Sequence, residues 1–600
     1  AVNSLTGIWG GTFHSIANRL LRRYATHVGH TPNFTILDEE DAKALVKSCI
    51  KALGVDTKAR RFPSPANIHA IASYARNSGS TVPKVVEARY PAFIGMLSSI
   101  QQIIELYEIR KREADAMDFD DLLLKLRELL YTSVSVRERL ATQFEHILVD
   151  EYQDTNVVQA EIVRQLASVH GNVLVVGDDA QSIYSFRAAE IRNILQFPET
   201  YSGTQVFRLT TNYRSTPEIL AVANASIREN KEQFKKELSA VRESFDRPNL
   251  VPAGTTAQEA QYIAQQILAL RAGGVPIREI AVLFRAAFHS QALEFELMKR
   301  DIPYEYRGGM KFFERAHVKD IIAHLRIRMN PHDEVAWMRV LGLLTGVGLT
   351  TAEAIAHQVR DAATLEEALE RSMRIPSRAQ TGWETFKSTL AKLAREESPS
   401  ELIRAVIAMD YQDYLQAEYP DFADRLEDLE QFALFAEGYT DLQTFLDEVC
   451  LSSEYGALGE DGSKTQEKIV LSTVHQAKGL EWDAVFVMHL ADGKFPNERA
   501  LNEDGGVQEE RRLFYVAITR ARKHLFFTYP VMSGYDTLEL SQPSMFLQEL
   551  PPTLLETVKL KSSPLSRPSS WDEDEPTIVL DQRGERVKTK VAPKSYLRGI

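Results

Sequence analysis

The chain has 600 residues, 44% of them hydrophobic and 26% charged, which excludes a disordered or collagen-like protein and allows about four domains. Its net charge of −13 excludes a small, uniformly basic DNA-coating protein, although a local basic channel for nucleic acid is compatible with it. The two cysteines, Cys49 and Cys450, cannot build a disulfide framework and suggest a reducing compartment. The apolar runs are far shorter than the ~18 residues of a membrane span, and no signal peptide opens the sequence. We therefore expect a cytoplasmic protein without a membrane partner.

Short β-branched or aliphatic runs recur along the chain and are typical of buried strands. They occupy residues 146–150, 172–177, 280–284, 469–474, 484–488 and 525–529. Strands that are apolar on both faces belong to parallel sheets covered by helices, so the fold class expected is α/β. The runs form two groups, 146–209 and 280–529, which predicts two sheets.

Two long stretches have helical periodicity instead. Residues 35–140 contain Ile100, Ile103 and Tyr107 at spacings of three and four, and residues 330–455 repeat the pattern around Leu429 and Phe432. Both stretches are expected to be mostly helical insertions that interrupt the sheet regions. From residue 551 the composition shifts to Pro, Ser and charge, which favours a flexible tail. Its basic end could serve as a plain linker or as a contact for DNA or protein.

Two adjacent carboxylates, Asp150 and Glu151, follow the first predicted strand. Open α/β sheets bind ligands at this end of their strands. Asp150 could hold Mg²⁺ through its water shell, while Glu151 could orient and deprotonate a water that attacks a phosphoryl group. The alternative is that Asp150 and Glu151 only cap a helix. The residues that follow, Gln153 and Asp154, favour a functional motif, because a cap does not require them.

A second predicted strand ends in the segment 177–187 (GDDAQSIYSFR). Gln181 is placed to sense a terminal phosphate. Tyr184 and Phe186 are spaced to present aromatic faces, and base–aromatic stacking contributes on the order of 1–3 kcal/mol per base. Burial of both aromatic rings in the core is the alternative interpretation.

These two segments resemble motifs II and III of the UvrD/Rep/PcrA family of superfamily 1 DNA helicases. Further segments match the family in its own order: residues 11–15 with 19–22 (motif Ib), 209–215 (LTTNYRS, motif IV), 472–482 (STVHQAKGLEW, motif V) and 509–521 (EERRLFYVAITRA, motif VI). The blocks at 118–122 and 308–313 look like accessory family segments. The matches span residues 11 to 521.

The resemblance implies two RecA-like parallel-sheet domains of the P-loop NTPase type, which face each other across an ATP cleft and each carry a mostly helical insertion. The expected boundaries are 1–23 and 141–207 for the first sheet domain, 24–140 for its insertion, 208–329 and 464–550 for the second sheet domain, 330–463 for its insertion, and 551–600 for the tail.

The resemblance also implies roles for single residues. Those implied in ATP hydrolysis are Glu151, Gln181, Arg214 and Arg520. Those implied in ATP binding are Asp150 (which also holds Mg²⁺), Tyr213 against adenine, Gly479, and Glu481 at the ribose hydroxyl. Those implied in DNA binding are Thr12, His14, Tyr184, Phe186, Arg187 and His475. A guanidinium suits the charge that develops on a transferring phosphoryl group, whereas a surface salt bridge is the alternative for either arginine.

The function implied is that of an ATP-dependent helicase, a DNA-dependent ATPase that moves 3′→5′ on single-stranded DNA, unwinds duplex, and acts in repair or replication. Its partners would be single-stranded DNA, single-strand/duplex junctions and repair or replication proteins, in the cytoplasm at the nucleoid. The alternative is a non-catalytic single-stranded DNA clamp, which would have no reason to keep Glu151, Gln181, Arg214 and Arg520 together. An RNA helicase is less favoured by the resemblance, and a helicase–nuclease would need a larger C-terminal region.

One part of the expected motor is not in the sequence. The phosphate-binding pattern G-x-x-x-x-G-K-[ST] does not occur, and the segments at 462–465 and 493–494 do not fit it. We therefore expect the chain to be a fragment that lacks an N-terminal strand, phosphate loop and helix. Smaller departures from the family are Phe186 for Trp, Ala188 for Gly and Ala287 for Asn. The segment 346–348 resembles a duplex-contacting hairpin, and a plain helix–helix turn explains it nearly as well.

Overall fold

The computed structural model describes residues 8–55, 62–307, 312, 315–344, 346–359, 364–370, 375–394, 396–446, 449, 467–503, 505–533, 539–560, 579–580 and 586–587. The accessory block at 308–313, except Phe312, lies outside the described residues, as do Cys450, the segment 462–465 and most of the tail. The described chain forms two compact units, Ala1–Val558 and Lys559–Ile600.

The first third of the chain is helical around short parallel strands. Its helices are α1 (Phe13–Tyr24), α2 (Glu39–Ala52), α3 (Pro65–Ser78), α4 (Val82–Arg89), α5 (Leu97–Glu113), α6 (Phe119–Thr132), α7 (Val134–Gln143), α8 (Val157–Leu166), α9 (Arg192–Leu195) and α10 (Phe197–Thr200). Its strands are β1 (Thr35–Ile36), β2 (Ala116–Met117), β3 (Ile147–Val149) and β4 (Val173–Val175). Polar caps begin several of these helices: Thr12, Asp118 and Asn156 each accept a hydrogen bond from the backbone N–H three residues on.

The first sheet consists of β3 and β4, which pair in parallel with Ile147 opposite Val173. The prediction that both faces of these strands are buried is wrong: Leu148 is 73% exposed and Leu174 is 53% exposed. In the described part of the chain this sheet has only these two strands, and Leu148 and Leu174, which lie opposite each other, leave one of its faces exposed.

The second sheet is larger and is assembled from segments far apart in sequence. Its region begins with β5 (Thr211–Asn212), α11 (Pro217–Arg228), β6 (Ser239–Ala240), β7 (Asn249–Thr255), α12 (Thr256–Ala272), β8 (Ile280–Phe284), α13 (Gln291–Lys299) and β9 (Tyr304–Arg307). β5 and β6 form a separate parallel pair.

A helical region follows and interrupts the sheet, as predicted. Its helices are α14 (Ala316–Met329), α15 (Glu334–Gly342), α16 (Leu349–Val359), α17 (Leu365–Glu370), α18 (Gln380–Leu393), α19 (Pro399–Val406), α20 (Gln412–Glu418), α21 (Phe422–Ala436) and α22 (442–446). Trp337, Phe386, Phe432 and Phe445 are buried in a common core, which packs the helices together.

The chain then returns to the second sheet. The returning elements are β10 (Ile469–Thr473), α23 (Val474–Ala477), β11 (Trp482–Val487), α24 (Glu498–Asn502), α25 (Gly506–Ile518), β12 (Ala521–Ser533), β13 (Glu539–Leu540), α26 (Met545–Gln548) and β14 (Glu556–Thr557). The strand order is β14-β7-β12-β11-β8-β10-β9, with β13 antiparallel to β12 and the other neighbours parallel. The predicted α/β class with parallel sheets is thus confirmed.

Two strands of the second sheet differ from expectation. β7 was not among the predicted strands, because Pro252 and Gly254 interrupt its apolar pattern. β14 lies in the segment assigned to the tail, yet Glu556 and Thr557 pair with Asn249 and Leu250 at the edge of the sheet. The segment up to Thr557 therefore belongs to the folded body.

The second unit is described only by a short antiparallel pair, β15 (Val579–Leu580) with β16 (Arg586–Val587). Across the described helices, none combines the length and the apolar character that a membrane crossing requires.

Candidate functional site

The turn after β3 carries the two predicted carboxylates. Glu151 adopts a left-handed backbone (φ +50°) and its side chain is 64% exposed. Gln153, fully buried, donates to Glu151 Oε2 at 2.6 Å and accepts from the backbone N–H of Asp178 at 3.0 Å. Gln153 thereby ties the turn after β3 to the turn after β4. A Cβ at Gly177 would lie 2.7 Å from Ile194 Cδ1 and meet the Gln153 amide, so a larger residue would displace the side chain that ties the two turns together.

A residue outside the predicted set, Lys478, connects this turn to the second sheet. Its Nζ lies 2.6 Å from Asp154 Oδ2, 3.6 Å from Glu151 Oε2 and 2.7 Å from the carbonyl of Gln181. Burial raises the pKa of Asp154, although Lys478 opposes that shift. Lys478 lies inside the matched segment 472–482, so the motif included it without assigning it a partner.

Arg520 is a buried cation held by uncharged oxygens. It is 1% exposed and donates to the carbonyls of Val516 (3.0 Å) and Leu480 (3.1 Å). Its Nη2 also donates to Gln181 Oε1 at 3.3 Å, which joins two of the predicted catalytic residues. Burial, together with the neighbouring Arg214, lowers the pKa of Arg520 to about 10, so the group stays charged at neutral pH. A desolvated cation with neutral partners is a favourable contact for an anion.

Arg214 and Glu481 contact each other directly. Arg214 Nε donates to Glu481 Oε2, its Nη1 donates to the carbonyl of Thr519 at 3.3 Å, and Arg522 Nε lies 3.1 Å from Glu481 Oε1. Partial burial opposes ionisation of Glu481, yet Arg214 and Arg522 lower its pKa. In this arrangement both groups are paired with protein through part of their hydrogen-bonding capacity, since Arg214 donates from Nε and Nη1 only in these contacts.

The remaining predicted nucleotide residues are open to solvent. Tyr213 is 74% exposed, which leaves its ring available for stacking, and Gly479 has a left-handed backbone (φ +86°). Asp150 is exposed and accepts from the backbone N–H of Glu151 at 2.9 Å. Mg²⁺ keeps several waters and is usually held by one or two carboxylates with substrate phosphates, so an exposed Asp150 fits such an ion. Among the described residues, no cluster of three or more His, Cys, Asp or Glu side chains forms a metal cage.

The aromatic residues of the segment 182–187 gather around His475. The rings of Phe186 and His475 are 5.6 Å apart and perpendicular, and those of Tyr184 and Phe186 are 5.9 Å apart. The Tyr184 hydroxyl donates to the carbonyl of His475 at 3.3 Å, and the Arg187 guanidinium lies 5.5 Å from the Phe186 ring centre. Phe186 is 46% exposed, so its ring is not a core residue. Burial, then Arg285 and Arg187, lowers the pKa of His475 to about 3, which keeps its imidazole neutral.

A groove of about 720 Å³ continues from this aromatic group across the molecule. It is lined by His14, Phe186 and Arg187, by residues 70–90 of the first helical region, and by residues 420–424 of the second. The structure thus brings three of the predicted DNA residues to one groove. Thr12 is not among its lining residues, and its side chain caps α1 by accepting from Ser15 N at 3.3 Å.

The departures from the family pattern have local consequences. Ala188 keeps a left-handed backbone (φ +64°), so the turn after Arg187 has the geometry that glycine favours. The segment 346–348 lies in the turn between α15 and α16. Ala287 begins a short 3₁₀ turn, Ala287–Ser290.

Comparison with known proteins covers nearly the whole chain. The family model described as the UvrD/REP helicase N-terminal domain matches residues 2–202, and the UvrD-like helicase C-terminal domain matches residues 207–531. A probable DNA helicase II homolog of Rickettsia conorii is 32% identical over 596 residues, which are 95% of this chain and 88% of the relative. The ATP-dependent DNA helicase PcrA of Staphylococcus epidermidis is 33% identical (99% of this chain, 84% of the relative). DNA helicase II of Escherichia coli K12 is 32% identical, with the same two coverages.

Proposed function

This chain belongs to the UvrD/Rep family of DNA helicases, and from that premise we propose that it is the larger part of an ATP-driven motor that moves 3′→5′ on single-stranded DNA and unwinds duplex. The contact between Arg520 and Gln181 carries the proposal, because it joins a buried, unneutralised cation near the second sheet to the phosphate-sensing turn after β4. A triphosphate bound between these groups would give the Arg520 guanidinium an anionic partner.

The proposed hydrolysis assigns one task to each group. Glu151 accepts a proton from the water that attacks the γ-phosphorus, and ADP leaves as the bond to the γ-phosphoryl group breaks. Arg214 and Arg520 stabilise the charge that develops on the phosphoryl oxygens. Asp150 would hold Mg²⁺, which would supply positive charge against the phosphates. Tyr213 stacks on adenine, Glu481 accepts a hydrogen bond from the ribose hydroxyl, and Gly479 lies beside the bound nucleotide.

The proposed coupling to DNA follows the order of residues in one segment. Gln181 is followed within six residues by Tyr184, Phe186 and Arg187, so the phosphate sensor and the strand contacts share a loop. We assign the two motor halves to the expected boundaries, 1–23 with 141–207 and 208–329 with 464–550. ATP between them closes the halves and hydrolysis reopens them, and each change alters stacking on the loop.

A phosphate-binding segment is proposed to cover the open face of the first sheet. Leu148, Leu174 and Val176 are 73%, 53% and 47% exposed, and an apolar sheet face of this kind is normally packed against another layer. The occupant proposed is a strand, a loop with the sequence G-x-x-x-x-G-K-[ST] and a helix, supplied by the natural protein. Its N–H groups and lysine would hold the β- and γ-phosphates beside Glu151.

The biological setting proposed is DNA repair or replication at the nucleoid of the cytoplasm, on single-stranded DNA and single-strand/duplex junctions, with repair or replication proteins as partners. This assignment rests on family membership alone.

Substitution Glu151→Gln in the natural full-length protein tests the chemistry. Amide cannot take the proton, so we expect DNA-stimulated ATP turnover to fall by about 10²-fold or more, the range of general-base catalysis, with binding of a fluorescent ATP analogue retained. Glu161→Gln is the matched control, because within the described residues the ion pair of Glu161 is a part-exposed contact of 3.4 Å with Arg127. Unchanged turnover in the Glu151→Gln protein would contradict the assignment. Single-stranded DNA binding without any ATP turnover in the unsubstituted protein would favour the clamp.

A further inference from the structure

The first turn of α25 holds the DNA loop through a carboxylate. Glu509 is half-buried, and its Oε1 accepts from the backbone N–H of Ser185 at 3.2 Å while its Oε2 accepts from the Ser185 hydroxyl. Ser185 lies between the two stacking aromatics, Tyr184 and Phe186. We propose that Glu509 is a positioning residue that fixes the orientation of this loop relative to the second sheet and transmits the nucleotide state to the grip on single-stranded DNA. The inference deepens the proposed function and rests on it.

A second anchor holds the same loop from the same helix. Arg512, one turn after Glu509 and 8% exposed, donates from Nε to the carbonyl of Ser182 at 2.8 Å. Between the anchors, Ile183 is fully buried in the hydrophobic core that contains the apolar residues of α25. The base of the loop is therefore packed onto α25, and the exposed contact at Ser185 decides how its aromatic tip is turned.

The other end of α25 leads directly to the nucleotide site. The helix ends at Ile518, and Arg520, two residues on, donates to Gln181. A helix of 13 residues moves as a rigid element, so a displacement of Arg520 on phosphate binding also displaces Glu509. Because α25 holds the base of the loop through Arg512 and Glu509 holds Ser185 by two hydrogen bonds, the displacement carries the aromatic rings with the helix. Deleting the carboxylate leaves the rings present but disconnects their orientation from the helix.

The measurable quantity is the ratio of the dissociation constants for an oligo(dT) strand with and without a non-hydrolysable ATP analogue, in the natural full-length protein. For Glu509→Ala we expect the effect of the analogue on DNA affinity to shrink by a factor of about 5 or more, in line with typical coupling strengths, so that the ratio moves toward one. The dissociation constant without nucleotide should change less than about threefold. Glu509→Gln, which keeps one acceptor oxygen, is expected to lose part of the coupling. Ser185→Ala combined with Glu509→Ala should add nothing to Glu509→Ala alone, because the partner of the Ser185 hydroxyl is already absent in the single variant.

The control for a merely structural effect is Glu549→Gln. Glu549 also accepts two hydrogen bonds from α25, at 2.9 and 2.6 Å from Arg511, but does not touch the loop, so its substitution should leave the ratio unchanged. The inference would be overturned if the Glu509→Ala protein had the same ratio as the unsubstituted protein. It would also be overturned if the ratio moved toward one equally in the Glu549→Gln protein. If the analogue left the DNA affinity of the unsubstituted protein unchanged, that result would instead contradict the proposed function.

Discussion

Backbone strain occurs at two single residues of the proposed site, one in the turn after β3 and one after the DNA-contacting loop. Glu151 (φ +50°) and Ala188 (φ +64°) adopt left-handed conformations, which cost an L-residue roughly 1–2 kcal/mol. At Glu151 the side chain is 64% exposed and accepts a hydrogen bond from Gln153. At Ala188 the left-handed conformation closes the turn after Arg187, where the side chain is a methyl group and contributes only its burial.

Replacing Ala188 by glycine is expected to stabilise the protein by up to about 1 kcal/mol, because the strain relieved in the left-handed region exceeds the entropy that glycine adds to the unfolded state. The urea midpoint should rise at unchanged slope. Ala189→Gly is the matched control, since Ala189 is outside the left-handed region and its replacement adds only unfolded-state entropy. That variant should lose about 0.5–1 kcal/mol. A lower midpoint for Ala188→Gly would show that the methyl group matters more than the strain.

For single residues, the sequence showed which side chains carry chemical groups more reliably than it showed which residues they contact. The carboxylates after β3 and the aromatics after β4 were recognisable because each group is a short string of neighbouring residues. Lys478 and Glu509 were missed as contacts, although both lie in recognised motifs, because their partners Asp154 and Ser185 are 324 residues away in each case. No local pattern encodes a distance across such a separation.

Helix α25 buries three consecutive charged residues. Glu510, Arg511 and Arg512 are 4%, 5% and 8% exposed, and each has a partner: Arg285, Glu549 and the carbonyl of Ser182 respectively. The helix begins at Gly506, where a Cβ would meet the carbonyl oxygen of Ala500 and lie 3.0 Å from its carbonyl carbon. Close approach of α24 to α25 therefore depends on glycine at this position.

Gly506→Ala is expected to destabilise the fold by about 1–3 kcal/mol, because backbone atoms of α24 must move to admit the methyl group. Gly342→Ala in α15 provides the opposite control: no atom lies within 4 Å of its Cβ position, and alanine is the better helix former by about 1 kcal/mol. Thermal unfolding should thus show a lower midpoint for the first variant and an equal or higher one for the second. Equal midpoints for the two variants would contradict the packing role of Gly506.

Element prediction succeeded where the apolar runs were continuous. The runs at 280–284 and 469–474 became β8 and β10 with nearly the same limits, and the helical spacing around Phe432 became α21. The strand β7 was not predicted, because its proline and glycine interrupt the continuous apolar run. It nevertheless pairs with β12 over most of its length. Its hydrogen bonds come from a strand more than 270 residues later, which only the assembled sheet provides.

At the scale of the whole molecule, the two sheets differ in how completely they are covered. β8 in the second sheet is buried at every residue, whereas β3 in the first sheet exposes Leu148. The proposed phosphate-binding segment accounts for this difference, because a layer on the open face would bury Leu148 as β8 is buried.

The substitution Leu148→Ser distinguishes a first sheet whose face is open from one that is covered by the proposed segment. In the 600-residue chain we expect a change within about 0.5 kcal/mol, since the side chain is mostly in water already. In the natural full-length protein with the covering segment, the same substitution should cost about 2 kcal/mol or more, from lost burial and a buried hydroxyl. Ile162→Ser, at a site 2% exposed, is the control that should be costly in both chains. Urea unfolding of the four proteins provides the measurement, and a small cost at Leu148 in both chains would contradict the proposed cover.

The sequence by itself determined the fold class, the family and the order of the chemical groups, because strand hydrophobicity and motif strings are local properties that survive in one dimension. Tertiary structure alone decided which of these groups meet. It placed Lys478 between Asp154 and Gln181, paired Arg214 with Glu481, and fastened Ser185 to Glu509. These contacts depend on the positions of segments hundreds of residues apart, which are set by the packing of the whole chain and by the burial of charge it enforces.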